Sequence, residues 1–157
     1  MSRAFTKEDD AGDDLPERPV PQGPNYVTPR GMELLRAAVR ELVARRQKAA
    51  AAGGELKPLD RDLRYLEARI DAAIIVPPGS GPEARFGARV TLRDESGGQR
   101  TFTIVGDDEA RTDAGLLSWS APLAQAVLGA KAGDTVTWES GDGGASCAIV
   151  SVEYPPA

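Results

Sequence analysis

The sequence predicts an α+β protein: an N-terminal antiparallel helical hairpin, in effect a short coiled coil, followed by an antiparallel sheet domain with one short helix. Three observations lead there. Two stretches repeat apolar residues at alternating four- and three-residue spacings, a short Gly/Pro-rich loop joins them, and beyond Ile75 the hydrophobic period drops to two.

The chain opens on "KEDDAGDDLPERPVPQGPN", acidic and then proline-rich. Too few large apolar residues are present to offset the entropy of ordering, so residues 1–25 are expected to form a flexible tail. The functional alternative is a docking segment that orders on a partner. Residues 26–76 form the expected coiled coil. Thr28 is a good N-cap, and Pro29 takes the first helical position, where its missing N–H costs nothing. Leu35, Val39, Leu42, Arg46 and Ala49 make the first stripe; Leu59, Leu63, Leu66, Ile70 and Ala73 make the second. Between them "AAAAGGELKPLDRDLRYL" carries glycines, a proline and the acids Glu55, Asp60 and Asp62. Pro58, Asp60 and Asp62 fit the start of the second helix, where negative charge meets the helix dipole. The plain reading of these acids is therefore helix capping; the sharper one is chemistry at a tip.

Residues 77–83, "PPGSGPE", read as a linker, and 84–157 as the sheet domain. "RVTLR" sends Val90 and Leu92 to one face, "RTFTIV" does so with Phe102 and Ile104, and "DESGGQ" supplies a hairpin turn between them. "TVTWE" aligns Val136 with Trp138, and "CAIVSVEY" forms a last strand after the turn "SGDGGA". The short helix lies in "SAPLAQAVLGAKAGD": Ser120 is its expected cap, Leu123, Ala126 and Val127 its buried face, and Gly129 its end.

Composition narrows the chemistry. The formal charge of −5 opposes general affinity for nucleic acid, which needs dense Lys/Arg. The chain contains no histidine, so Ser/His/Asp and Cys/His catalysis are excluded. The lone Cys147 sits in an apolar alternating run and reads as a small core hydrophobe. "RRQK" at 45–48 and the acidic opening read as solvated surface, although a basic arm facing nucleic acid is the functional alternative for the former. No secretory signal opens the sequence and no apolar run approaches the about 18 residues a membrane span needs, so a cytoplasmic location without membrane contact is expected.

The pieces "YVTPRGMELLRAAVREL", "RDLRYLEARIDAAIIVPP", "FGARVTLRDESGGQRTFTIVGDDEA", "LLSWSAPLAQAVLGAKAGDTV" and "IVSVEY", in this order, resemble the bacterial GreA/GreB family of transcription elongation factors. The matching pieces run from Asn25 to Tyr154. The opening "MSRAFTKEDD" with "LPERPV" is similar to the tail of a subgroup of that family. The resemblance implies an FKBP-like sheet domain that docks on RNA polymerase at the rim of its secondary channel. It also implies a coiled coil whose tip presents two acids to the polymerase active centre, where they help to hold a second Mg²⁺ so that a backtracked transcript is cut.

Two departures qualify that implication. The family's tip reads Gly-Asp-Leu-Ser-Glu-Asn or close to it; in "GELKPL", Gly54 fits, Glu55 takes the place of the first acid, and Pro58 stands where the second belongs. The hairpin is also shorter, by about 20 residues over both arms, which removes about 15 Å of reach at about 1.5 Å per helical residue. The turn through which the family meets the polymerase, similar to Ile-Ser-Ile-Asp-Ser-Pro, here reads Leu117-Ser118-Trp119-Ser120-Ala121-Pro122. Ser118 and Pro122 match, Ser120 replaces the acid, Ala121 the second serine, and Trp119 an aliphatic residue.

The resemblance thus implies an RNA polymerase-binding regulator of elongation, similar to the shortened type called regulator of nucleoside diphosphate kinase. Its expected partner-binding residues are Ser118, Trp119, Ser120, Pro122 and Leu123, with Trp119 readable equally as core. Glu55, Asp60 and Asp62 are weak tip candidates, and neither a catalytic residue nor a metal site of the chain's own is expected. Mg²⁺ would enter only within the polymerase active centre, and nucleic acid only through the transcription complex. An intramolecular hairpin favours a monomer. The alternatives are true transcript cleavage by the tip carboxylates and, remotely, an FKBP-like prolyl isomerase or chaperone.

Overall fold

Thr28 starts the first helix as its residue type predicts: the Gly31 backbone N–H donates to the Thr28 hydroxyl oxygen at 2.8 Å. The computed structural model describes residues 15–140 and 143–156. Its elements are β1 (Asn25–Val27), α1 (Pro29–Ala51), α2 (Lys57–Asp71), β2 (Ala73–Ile75), β3 (Arg89–Asp94), β4 (Gln99–Val105), β5 (Leu116–Ser118), α3 (Pro122–Val127), β6 (Thr135–Ser140) and β7 (Gly143–Glu153). They divide into two compact units, one containing Arg36–Asp71 and the other containing Pro24–Leu35 with Ala72 onward.

In the first unit, α1 runs out at Ala51 because the next residues can turn where a helix cannot. Gly53 takes φ +70°, the left-handed region that glycine enters without a Cβ clash. The Gly54 N–H closes the end on the Ala49 carbonyl at 2.7 Å. The chain then returns as α2, and Arg46 on α1 reaches Asp60 on α2 at 2.5 Å. The stripe residues Val39, Arg46 and Ala49 are half-buried, as are Leu59, Leu63, Leu66 and Ile70, while Leu42 is buried. Arg69 is almost wholly buried, a position the apolar spacing does not announce.

The expectation of a flexible tail falls partly on residues 1–14, which lie outside the described residues. Residues 15–23 run without regular structure, and two of them are held. Glu17 pairs with Arg64 at 2.6 Å. Arg18 lies over the Tyr65 ring, 3.8 Å from its centre, and pairs with Asp62 at 3.5 Å.

The second unit is a five-stranded sheet in the order β5-β4-β3-β7-β6. Neighbours are antiparallel except β5, which joins β4 in parallel and which the sequence reading did not count as a strand. Period-two alternation places Val90, Leu92, Phe102 and Ile104 on one face, where Val136 and Ile149 meet Leu123, Ala124 and Val127 of α3. β7 already begins at Gly143, inside the turn expected over 140–145, and residues 141–142 lie outside the described residues.

The cap of α3 is a correction. Its N-cap is Ala121 with no side-chain bond, and Pro122 at its start, which has no N–H, leaves one donor fewer to satisfy. The Ser120 hydroxyl is engaged elsewhere. A further element, the short parallel pair β1–β2 (Asn25↔Ala73, Tyr26↔Ile74, Val27↔Ile75), lies where the sequence indicated only the ends of the tail and hairpin. It places Tyr26 against Phe86 and, edge-on at 5.1 Å between ring centres, against Trp119.

Candidate functional site

At the hairpin tip, the three acids separate into different roles. Glu55 is exposed in the loop, with no hydrogen bond or ion pair among the described residues. Asp60 sits in the first turn of α2 and offers both oxygens to Arg46, at 2.5 and 3.4 Å. That hydrogen bond holds its carboxyl below the usual range, with burial opposing and the guanidinium charge helping. Asp62 lies between Arg18 at 3.5 Å and Arg61 at 3.4 Å. Among the described residues, no three side chains of metal-binding type are grouped as metal ligands would be.

These pairs make the hairpin acid-sensitive. Glu17, like Asp60, is held below its ordinary range, first by the hydrogen bond from Arg64. A carboxylate with a depressed folded pKa stabilises fully above its unfolded value, about pH 4, and that stabilisation is lost as pH falls through the folded value. Helical circular dichroism should thus hold steady from neutral pH to about pH 5 and decline below about pH 4. The effect is modest because the groups are exposed, and added salt or Arg46→Ala should reduce it.

In the sheet unit, the expected docking residues form a hydrogen-bonded turn. Asp107, on the loop after β4, accepts from the Ser118 hydroxyl at 2.5 Å and from the Ser120 hydroxyl at 2.8 Å. The Ser120 N–H donates to the Ser118 oxygen at 3.2 Å, and Gln125 donates to the Trp119 carbonyl at 2.7 Å. Asp107 thus brings a carboxylate to a turn that carries no acid of its own. Ser120 and Pro122 are exposed, and Ser118 is half-buried. Leu123, expected at the partner surface, is buried in the core, because α3 turns that face onto the sheet. Trp119 is half-buried beside Tyr26 and the core, with its indole N–H enclosed and without a hydrogen-bond partner among the described residues.

The loop that carries Asp107 is fixed at both ends. A Cβ on Gly106 would meet the Tyr26 carbonyl oxygen at 2.4 Å, so only glycine permits this approach. Glu109, buried, accepts from the Thr28 hydroxyl, whose oxygen in turn caps α1. A Cβ on Gly31 would come within 2.8 Å of that carboxylate. Asp107, Glu109 and Tyr26 escaped the sequence reading. For Asp107 and Glu109 the only signal was the run "GDDE" directly after a buried strand, where a glycine and acids read as an ordinary loop.

Cys147 is half-buried in β7, and burial, then the nearby Asp94 charge, pushes its thiol up, which suits a core hydrophobe rather than a nucleophile. It lines a cleft of about 320 Å³ with Leu92, Leu123 and Trp138. A second cleft, about 570 Å³, runs beside Val76, Pro77, Phe86 and Leu128. Among the described residues, no helix is long and apolar enough to cross a membrane.

Comparison with known proteins adds the family. The model of the transcription elongation factor GreA/GreB C-terminal family matches residues 79–154. The chain is 31% identical to transcription elongation factor GreB of Neisseria meningitidis serogroup B over 153 residues, covering 83% of this chain and 94% of that one. It is 33% identical to GreB of Pseudomonas aeruginosa over 161 residues, covering 88% and 96%. A solved GreA/GreB factor from Nitrosomonas europaea is similar at 25% identity, over 83% of this chain and 99% of that one, with a TM-score of 0.43. With near-complete coverage of relatives above 30% identity, the chain belongs to the GreA/GreB family of transcription elongation factors.

Proposed function

We propose that the chain is an RNA polymerase-binding regulator of elongation that docks through the Ser118–Pro122 turn and does not cut transcripts efficiently. The observation that carries this reading is the state of the tip acids: Asp60 is tied to Arg46, Asp62 lies between Arg18 and Arg61, and Glu55 alone has no partner among the described residues. A carboxylate already paired with a guanidinium must give up charge-assisted hydrogen bonds before it can ligate Mg²⁺. The residues present therefore do not fit a shared tip metal. The short helices agree: α1 has 23 residues and α2 has 15, giving α2 a length of about 22 Å. Docking is supported by the exposed, preorganised turn at the position where the family model matches.

A prolyl isomerase would need an aromatic-lined cleft, whereas the two clefts described above contain one aromatic residue each, Phe86 and Trp138. Such a fold does not confer that activity by itself.

The test is a backtracked RNA polymerase complex with labelled RNA and Mg²⁺. The protein should bind the complex and leave transcript length unchanged. Shortening that disappears in the Glu55→Ala, Asp60→Ala, Asp62→Ala triple variant would establish cleavage instead, and absence of binding to core polymerase at low salt would remove the docking reading.

A further inference from the structure

We propose that the segment 15–23 is an intramolecular mask over a single-stranded nucleic-acid site on α2, formed by Arg61, Arg64 and Tyr65. Two residues of the segment occupy the places of the two halves of a nucleotide. Glu17 takes the Arg64 guanidinium with both oxygens, accepting from Nη2 at 2.6 Å and from Nε at 3.0 Å. Such a fork is also the arrangement in which arginine takes a phosphate. The Arg61 charge favours the same carboxylate. Arg18 lays its planar guanidinium over the Tyr65 ring, 3.8 Å from its centre, where a base would stack on an aromatic side chain.

Charge and exposure agree with a mask that lifts. Residues 1–23 carry six Asp/Glu against three Lys/Arg, whereas Arg36–Asp71 carries nine Lys/Arg against six Asp/Glu. The covering segment and the hairpin it covers are therefore opposite in sign. Asp60 and Asp62 border the face and offset part of its charge, so the site is weak and salt-sensitive even when open. The Glu17–Arg64 pair is exposed, at 62% and 55%, and exposed pairs hold loosely. A ligand with several phosphates can displace it; a single small anion has no such advantage. The ring decides between ligand classes: an acidic peptide would use the two arginines and leave Tyr65 idle, whereas a nucleotide strand uses all three.

The experiment measures binding of the full chain to a fluorescent oligouridine of about 12 nucleotides by anisotropy, at several salt concentrations. Helical circular dichroism of each variant is read alongside. The double variant Glu17→Ala, Arg18→Ala leaves the net charge unchanged and should bind about fivefold more tightly than wild type at low salt. Glu17→Gln, which keeps the side chain's shape, should tighten binding in the same direction. In the opened double variant, Arg64→Ala should abolish the gain and lower the salt slope by about 0.7, one phosphate contact. Tyr65→Phe should keep the gain there, and Tyr65→Ala should lose it. Opened variants no tighter than wild type, a gain that survives Arg64→Ala, or equal binding by Tyr65→Phe and Tyr65→Ala overturns the proposal. Polyglutamate competing as well as unlabelled oligouridine would assign the face to an acidic protein surface and overturn it too.

Discussion

Gly106→Ala should lower the melting temperature of the purified chain by about 10 °C or more, from a cost of about 3 kcal/mol, read by circular dichroism. The added methyl would sit 2.4 Å from the Tyr26 carbonyl oxygen. The obstacle is backbone, so no rotamer change relieves it. Nor can the backbone retreat easily: β1 is paired along its length with β2, and the Val76 N–H donates to the Val27 carbonyl at 2.9 Å. Gly31 offers the contrast. Its added methyl would meet the end of the Glu109 side chain at 2.8 Å, a group that can swing aside by giving up its bond to Thr28. Gly31→Ala should therefore cost less than Gly106→Ala. A melting temperature for Gly106→Ala equal to wild type would mean that the loop does not approach Tyr26 as described.

Close approaches of this kind explain what the sequence could and could not reveal. The helices and the central strands were legible because period is a local property: Leu35 and Leu42, or Phe102 and Ile104, declare their face by spacing alone. The pair β1–β2 was not, since three residues per strand are too few to show a period, and their partners lie 48 residues apart in register. The cap of α3 failed for a related reason. Ser120 has the right side chain one residue too early: α3 begins at Pro122 with Ala121 at the N-cap, so the Ser120 hydroxyl lies before the cap and donates to a carboxylate from another loop. In the tip, the residue types suggested chemistry and capping at once. Only the positions of Arg18 and Arg46, one from the preceding segment and one from the opposite helix, show where the carboxylates are directed.

Phe102→Ala should cost the sheet unit about 3–5 kcal/mol, the range for emptying a buried aromatic site, whereas Ile104→Val beside it should cost about 0.5–1.5. Phe102 is 2% exposed, stands opposite Val90 in the β3–β4 register, and belongs to the cluster that α3 covers. The strand that carries it also sets the docking turn. Val105 is in register with Ser118, and the chain leaves β4 directly into the loop of Asp107. The turn can therefore be no more ordered than β4 allows. In urea, the midpoint should fall for Phe102→Ala with the slope unchanged, because the cavity alters stability and not the surface exposed on unfolding. Well below that midpoint, polymerase binding should survive, since Ser118, Ser120 and Asp107 are untouched. Binding lost while the fold persists would mean that the turn depends on the packing of the core as well as on its own hydrogen bonds, and an unmoved midpoint would mean that Phe102 is not the anchor of this sheet.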